Sequence, residues 1–209
     1  TKTLDGDGAT PASLAITEAE PLDFGDIPVG GSSTLTFNVD HTGGVDADLT
    51  GTVFTTGTQY DWEGGTFPGA TGTCTDPVTV DCTVTVTYTP LTNVVHNDTF
   101  TLTYDDGAGN SLNEPQTLTG RGRTPATLTF NPVGLYDFGN QATGSTTVVA
   151  FNVDYTGDLP GTINIPASGA GTAMYDFEGG AYPGTTGTCL GAISVNCTIA
   201  IEFTPTAGV

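Results

Sequence analysis

Apolar and polar side chains alternate along this chain with a period of two. Leu35, Phe37 and Val39 are interleaved with Thr34, Thr36 and Asn38, which is how a strand with one buried face reads. Cys82, Val84, Val86 and Tyr88 point one way, and Thr83, Thr85, Thr87 and Thr89 the other. Leu14 and Ile16 begin a similar pattern, and residues 49–54 make a more polar version of it. Phe100, Leu102 and Tyr104 carry it into a turn at 105–110, and residues 116–119 make a closing strand. No window of ten or more residues places apolar positions at i, i+3, i+4 and i+7. The predicted fold class is all-β.

The pattern then runs a second time. Leu128 and Phe130, Asp137-Phe138-Gly139, and Val149, Phe151 and Val153 retrace the first half. Residues 60–90, YDWEGGTFPGATGTCTDPVTVDCTVTVTYTP, match residues 175–205, YDFEGGAYPGTTGTCLGAISVNCTIAIEFTP, at 16 of 31 positions. The offset changes from 114 to 115 between Val153 and Tyr175, a one-residue insertion that a connection absorbs at little cost. A chain of 209 residues with this period predicts two domains, 10–123 and 124–209.

Both ends of the repeat register are out of phase with these domains. Residues 1–9 align with 115–123 at an offset of 114 and read as the closing strand and linker of a preceding repeat. Val209 corresponds to Val94, so the second domain is predicted to lack its last two strands, exposing Ile201, Phe203 and an unpaired edge. A longer array, removal of the strands, or a neighbour that supplies them would each account for this. In the last case Lys2, Thr3 and Leu4 are the donor candidates, pairing by β-augmentation.

Four blocks in order, LDFGDIPVGGSSTLTFNVDHTGG at 22–44, DCTVTVTYTP at 81–90, TFTLTYDD at 99–106 and PQTLTGRG at 115–122, resemble the bacterial choice-of-anchor D repeats. These are relatives of the ASH and MSP-like immunoglobulin-type β-sandwiches. The resemblance implies tandem immunoglobulin-like β-sandwich domains of an exported, repetitive surface protein whose mode of anchoring differs from case to case. The chain departs from the pattern in its long YDWEGGTFPG and YDFEGGAYPG loops and shows no anchor of its own.

Composition narrows the partners. Lys2, Arg121 and Arg123 are the only strong cations against 17 Asp and 6 Glu, and the net charge is −20. Such a surface repels phosphate backbones and anionic lipid, which argues against nucleic-acid and membrane-surface binding. No run of 18 apolar residues exists to insert in a bilayer. The acidity reads as a solvated, self-repelling surface, as Ca²⁺ sites between Asp-rich loops, or as adaptation to a salty medium. Thirty Gly, 13 Pro and 42 Thr against one Met and one Lys suit short strands joined by turns.

All four cysteines fall in the doubled stretch, eight apart in each copy: Cys74 with Cys82, and Cys189 with Cys197. One pair per repeat predicts an intradomain disulfide in each, of roughly 2–3 kcal/mol, and an oxidising, extracellular or cell-surface location. A zinc site needs more ligands, and His41 and His96 have no counterparts in the second repeat.

Asp61 and Glu63, with their copies Asp176 and Glu178, flank an aromatic residue and offer oxygens to a Ca²⁺ loop, as do Asp105 and Asp106 at a hairpin tip. The competing reading has Trp62 and Phe177 plugging the core. Trp62 and Tyr182 are the candidates for ligand-facing aromatics. No Ser-His-Asp context or nucleophile elbow surrounds either histidine, so no catalytic residues are assigned and no enzyme is predicted. The expected role is a structural repeat module of an extracellular stalk or surface filament, partnered by copies of itself or neighbouring repeats. The alternative is an adhesin-type module for a carbohydrate or protein.

Overall fold

The structure is a computed structural model describing residues 1–164 and 174–206. The chain divides into two compact units, Thr1–Arg123 and Thr124–Val209. The first unit has eight strands: β1 Ser13–Ile16, β2 Leu22–Pro28, β3 Ser33–Thr42, β4 Asp48–Phe54, β5 Tyr60–Trp62, β6 Cys82–Tyr88, β7 Val95–Asp105 and β8 Ser111–Arg123. They form two four-stranded sheets, β1-β3-β6-β5 and β2-β8-β7-β4. Every pairing is antiparallel except β2 with β8. No α-helix occurs among the described residues, whose helical segments are the 3-10 turns Glu63–Gly65 and Glu178–Gly180.

The alternating pattern decides what lies between these sheets. Phe37, Val39, Val84, Val86 and Tyr88 turn inward from one, and Phe100, Leu102 and Leu118 from the other, all buried. Phe37 meets Phe100 edge to face at 5.1 Å across the gap. Thr85 departs from the pattern. It lies on the outer side of β6 yet is buried, because the loop after β5 lies over it and the Pro68 carbonyl accepts its N–H at 2.7 Å.

The described residues of the second unit form one sheet, β11-β12-β10-β9, built from β9 Thr127–Asn131, β10 Thr147–Thr156, β11 Tyr175–Phe177 and β12 Cys197–Phe203. It copies β5-β6-β3-β1 strand for strand. Val149, Phe151 and Val153 pair with Ile201, Ile199 and Cys197 as Leu35, Phe37 and Val39 pair with Val86, Val84 and Cys82.

Residues 136–142, the counterpart of β2, join no ladder, although Gly139 (φ 69°) keeps the same turn as Gly25 (φ 76°). The reason is that β2 is held by parallel pairing to β8, and nothing among the described residues of this unit stands in for β8. The counterpart of β4 falls mostly outside the described residues. Residues 1–9 are exposed and form no strand.

Candidate functional site

The doubled stretch is a brace. Gly64 and Gly65 sit at φ 76° and 83°, and Gly179 and Gly180 at 73° and 80°, left-handed conformations that explain why both copies read Glu-Gly-Gly. The Glu63 carboxylate accepts hydrogen bonds from the Thr71 N–H and Oγ1 at 2.8 and 2.6 Å, and Glu178 accepts those of Thr186 at 2.7 and 2.6 Å. Asp61 and Asp176 accept the N–H of the following residue. At the hairpin tip Asp105 accepts the Gly107 N–H, while Asp106 accepts the N–H groups of Ala108 and Asn110 and the Asn110 side chain. These carboxylates serve their own loops. No group of three or more His, Cys, Asp or Glu that could hold a metal ion occurs among the described residues.

Trp62 is a core plug and not a ligand-facing aromatic, which decides between the two readings the sequence offered. It is 6% exposed and ringed by Phe54, Phe67 and Phe100 at 4.9, 5.2 and 5.3 Å, because β5 turns it toward the sandwich interior. Tyr182 is half-buried against Phe177 at 5.4 Å, and burial raises its pKa.

Each loop is tied to its strand by a disulfide, Cys74–Cys82 and Cys189–Cys197, with Cα separations of 4.8 and 5.0 Å. Two disulfides point to an oxidising compartment. Reduction is expected to lower the stability of each unit by about 2–3 kcal/mol. Urea titration with and without a phosphine reductant checks this, and a Cys74→Ala/Cys82→Ala variant should show no reductant effect on its first unit.

The inner aromatic cluster keeps its geometry in both units, with Phe203 in the place of Tyr88, and differs in its cover. Phe24, Tyr60 and Tyr88 pack with centroids 5.5, 5.6 and 4.7 Å apart, and Phe138, Tyr175 and Phe203 reproduce this at 5.7, 5.3 and 4.7 Å. In the first unit the second sheet roofs the cluster. The Tyr60 hydroxyl donates to the His96 carbonyl at 2.9 Å, the Tyr88 hydroxyl lies 2.7 Å from His96 Nδ1, and burial with the nearby Asp23 charge pushes the Tyr88 pKa up to about 12. In the second unit Tyr175 is 41% exposed where Tyr60 is 2%. Tyr136 is 40% exposed, and Phe138, Phe151 and Phe203 are only partly buried. This open aromatic face is the candidate site.

Asp98 was missed by sequence reasoning. It is buried beside a groove of about 480 Å³ lined by Pro21, Thr55, Asn97 and Leu118 among others. Its carboxylate accepts the Thr56 and Gly57 N–H groups, the Thr56 hydroxyl and the Thr99 N–H, at 2.7–3.0 Å. Burial works to raise its pKa, and these hydrogen bonds outweigh it and hold the carboxyl below the usual range. The signal was parity, since Asp98 shares its side of β7 with Phe100, Leu102 and Tyr104. The histidines are likewise engaged, His41 Nε2 at 3.1 Å from the Val45 carbonyl and His96 with Tyr88 and Thr92.

No family model matches the chain, and no curated protein matches it. Among solved structures it is similar to the secreted serine protease VesC from Vibrio cholerae, at 10% identity and a TM-score of 0.36, over 93% of this chain and 48% of that one. The chain thus spans about half the length of the protease. It is also similar to the N-terminal Ig1-2 module of the Drosophila receptor protein tyrosine phosphatase DLAR, at 12% identity and a TM-score of 0.28, over 94% and 85% of the two chains. Likenesses this distant assign neither activity nor partner. No helix among the described residues is long and apolar enough to cross a membrane.

Proposed function

We propose that the chain is a structural module, a pair of immunoglobulin-like β-sandwich repeats from an exported protein, built into an extracellular stalk or surface filament. Strand order supports the fold assignment. Lettering the first unit's strands in chain order, with β2 as a second A strand, gives A-B-E-D in one sheet and A′-G-F-C in the other, the arrangement of immunoglobulin-type sandwiches. The resemblance to choice-of-anchor D repeats and the two disulfides fit the same reading.

The observation that carries the functional reading is the open aromatic face of the second unit, shaped like a covered one in the first. Contiguous apolar surface of this kind marks association. Sedimentation velocity over a rising concentration series tests it, with Tyr175→Glu as the comparison. Assembly by the wild type that the variant lacks is the expected result. A chain that stays monomeric while the amides of its second unit resist exchange overturns the reading. The adhesin alternative has less behind it, because Trp62 is buried and Tyr182 half-buried. Catalysis is not part of the proposal, since both histidines are spent on internal hydrogen bonds.

A further inference from the structure

Two stretches of the chain have the pattern of an N-glycan acceptor, Asn97-Asp98-Thr99 and Asn196-Cys197-Thr198. The fold separates them. Asn196 is committed elsewhere, since its Oδ1 accepts the Tyr155 N–H at 2.8 Å and its Nδ2 donates to Asp154 at 3.4 Å. The middle residue of that stretch is also closed into the Cys189–Cys197 disulfide. Asn97 lies in β7, in register with Thr119 of β8. It is exposed, and its carboxamide makes no hydrogen bond among the described residues. Alternation along the strand sends Asp98 inward and sets Asn97 and Thr99 on one outer face, so the acceptor amide and the hydroxyl that identifies it lie on the same side.

The surface beside Asn97 is concave. The groove of about 480 Å³ next to Asp98 is lined by Asn97, Thr99 and Thr117 of β7 and β8. Pro21, which precedes β2, bounds it on the β8 side, and Thr55, which follows β4, bounds it on the β7 side. Its volume is that of a small-molecule pocket. Asp98 is the one charged residue of the lining, and its carboxylate is already occupied by the Thr56, Gly57 and Thr99 hydrogen bonds. What remains for a ligand is hydroxyl, carboxamide and the Pro21 ring. A neutral sugar matches this lining, with hydroxyls around its rim and C–H groups on its faces. An anion would meet the field of a chain whose net charge is −20, and a cation would find the carboxylate already filled.

We propose that Asn97 carries an N-linked glycan whose first sugar is neutral and lies in this groove against Pro21, Thr99 and Thr117. In the transfer, Asn97 Nδ2 attacks the anomeric carbon of a lipid-linked oligosaccharide diphosphate. The N–C bond forms as the bond from that carbon to the diphosphate oxygen breaks. The electron pair of the broken bond leaves with the lipid diphosphate, and one amide proton passes to a base of the transferring enzyme. No oxidant or reductant is required. The proposal rests on the exported location that the disulfides point to, and it does not depend on how copies of the chain associate. Seated there, the glycan shields the outer face of β7 and β8 from other sheets.

The test is a non-reducing peptide map of the protein isolated from the cells that make it, before and after peptide N-glycosidase in heavy-oxygen water. The peptide containing Asn97 is expected to carry the mass of a glycan and, after the enzyme, a labelled aspartate in place of Asn97. The peptide containing Asn196 should be unmodified throughout. Made in the same cells, Thr99→Val, which keeps the side-chain shape and removes the hydroxyl, should abolish the added mass, and Thr99→Ser should retain it. Nuclear Overhauser contacts should join the first sugar to the Pro21 ring and the Thr117 methyl. A bare Asn97 beside an intact Cys74–Cys82 disulfide overturns the site and leaves the exported reading standing. A bare Asn97 with both cysteines reduced overturns the two together. A glycan on Asn196 with Asn97 bare overturns the choice between the stretches, and a glycan on Asn97 without contacts to Pro21 and Thr117 overturns its seating in the groove.

Discussion

Trp62→Ala is expected to lower the stability of the first unit by about 3–5 kcal/mol, the range for truncating a buried aromatic side chain. Trp62 makes ring contacts with Phe54, Phe67 and Phe100, and alanine would leave a cavity that two packed sheets cannot collapse into. Phe177→Ala in the second unit should cost clearly less, since Phe177 is half-buried and its ring partner is Tyr182. Because Trp62 is the only tryptophan, urea unfolding should be followed by far-ultraviolet circular dichroism. A loss below about 1 kcal/mol for Trp62→Ala, typical of surface positions, would return this side chain to a binding role.

Asp98→Ala is expected to cost the first unit about 2–4 kcal/mol, because it leaves the Thr56, Gly57 and Thr99 N–H groups without their acceptor. The effect depends on pH in a defined direction. The folded-state pKa of Asp98 is lowered, so its contribution is fully present above the unfolded value of about 3.9 and is lost as pH falls through the folded value. The difference between wild type and Asp98→Ala should thus be flat from about pH 6 to 8 and shrink below about pH 4. Urea midpoints across that series decide the matter. A difference that grows on acidification would contradict the assignment.

The architecture of the first unit was legible because the period-two pattern maps almost directly onto burial. Phe37, Val84, Phe100 and Leu102 alternate in sequence and all face inward. The disulfides were legible because the cysteines repeat at one spacing in equivalent places. What escaped sequence reasoning depends on partners distant in the chain. Glu63 looks like a metal ligand until Thr71 is seen to hold it. Trp62 reads as a core plug, yet the residues that enclose it, Phe54 and Phe100, cannot be picked out from sequence. Residues 22–28 have a sequence copy at 136–142, yet among the described residues only the first copy forms a strand, where β8 lies alongside. A parallel ladder is a property of two segments and cannot be read from either one.

One small feature bears on where growth of an assembly can start. β5 and β11 stand at the rim of their sheets, are three residues long, and each runs into a 3-10 turn with glycine in a left-handed conformation. A rim that short offers an incoming chain one or two backbone pairs before the path bends away, too few to nucleate a ladder. That rim of each of the two sheets is thereby blunted against edge-to-edge aggregation.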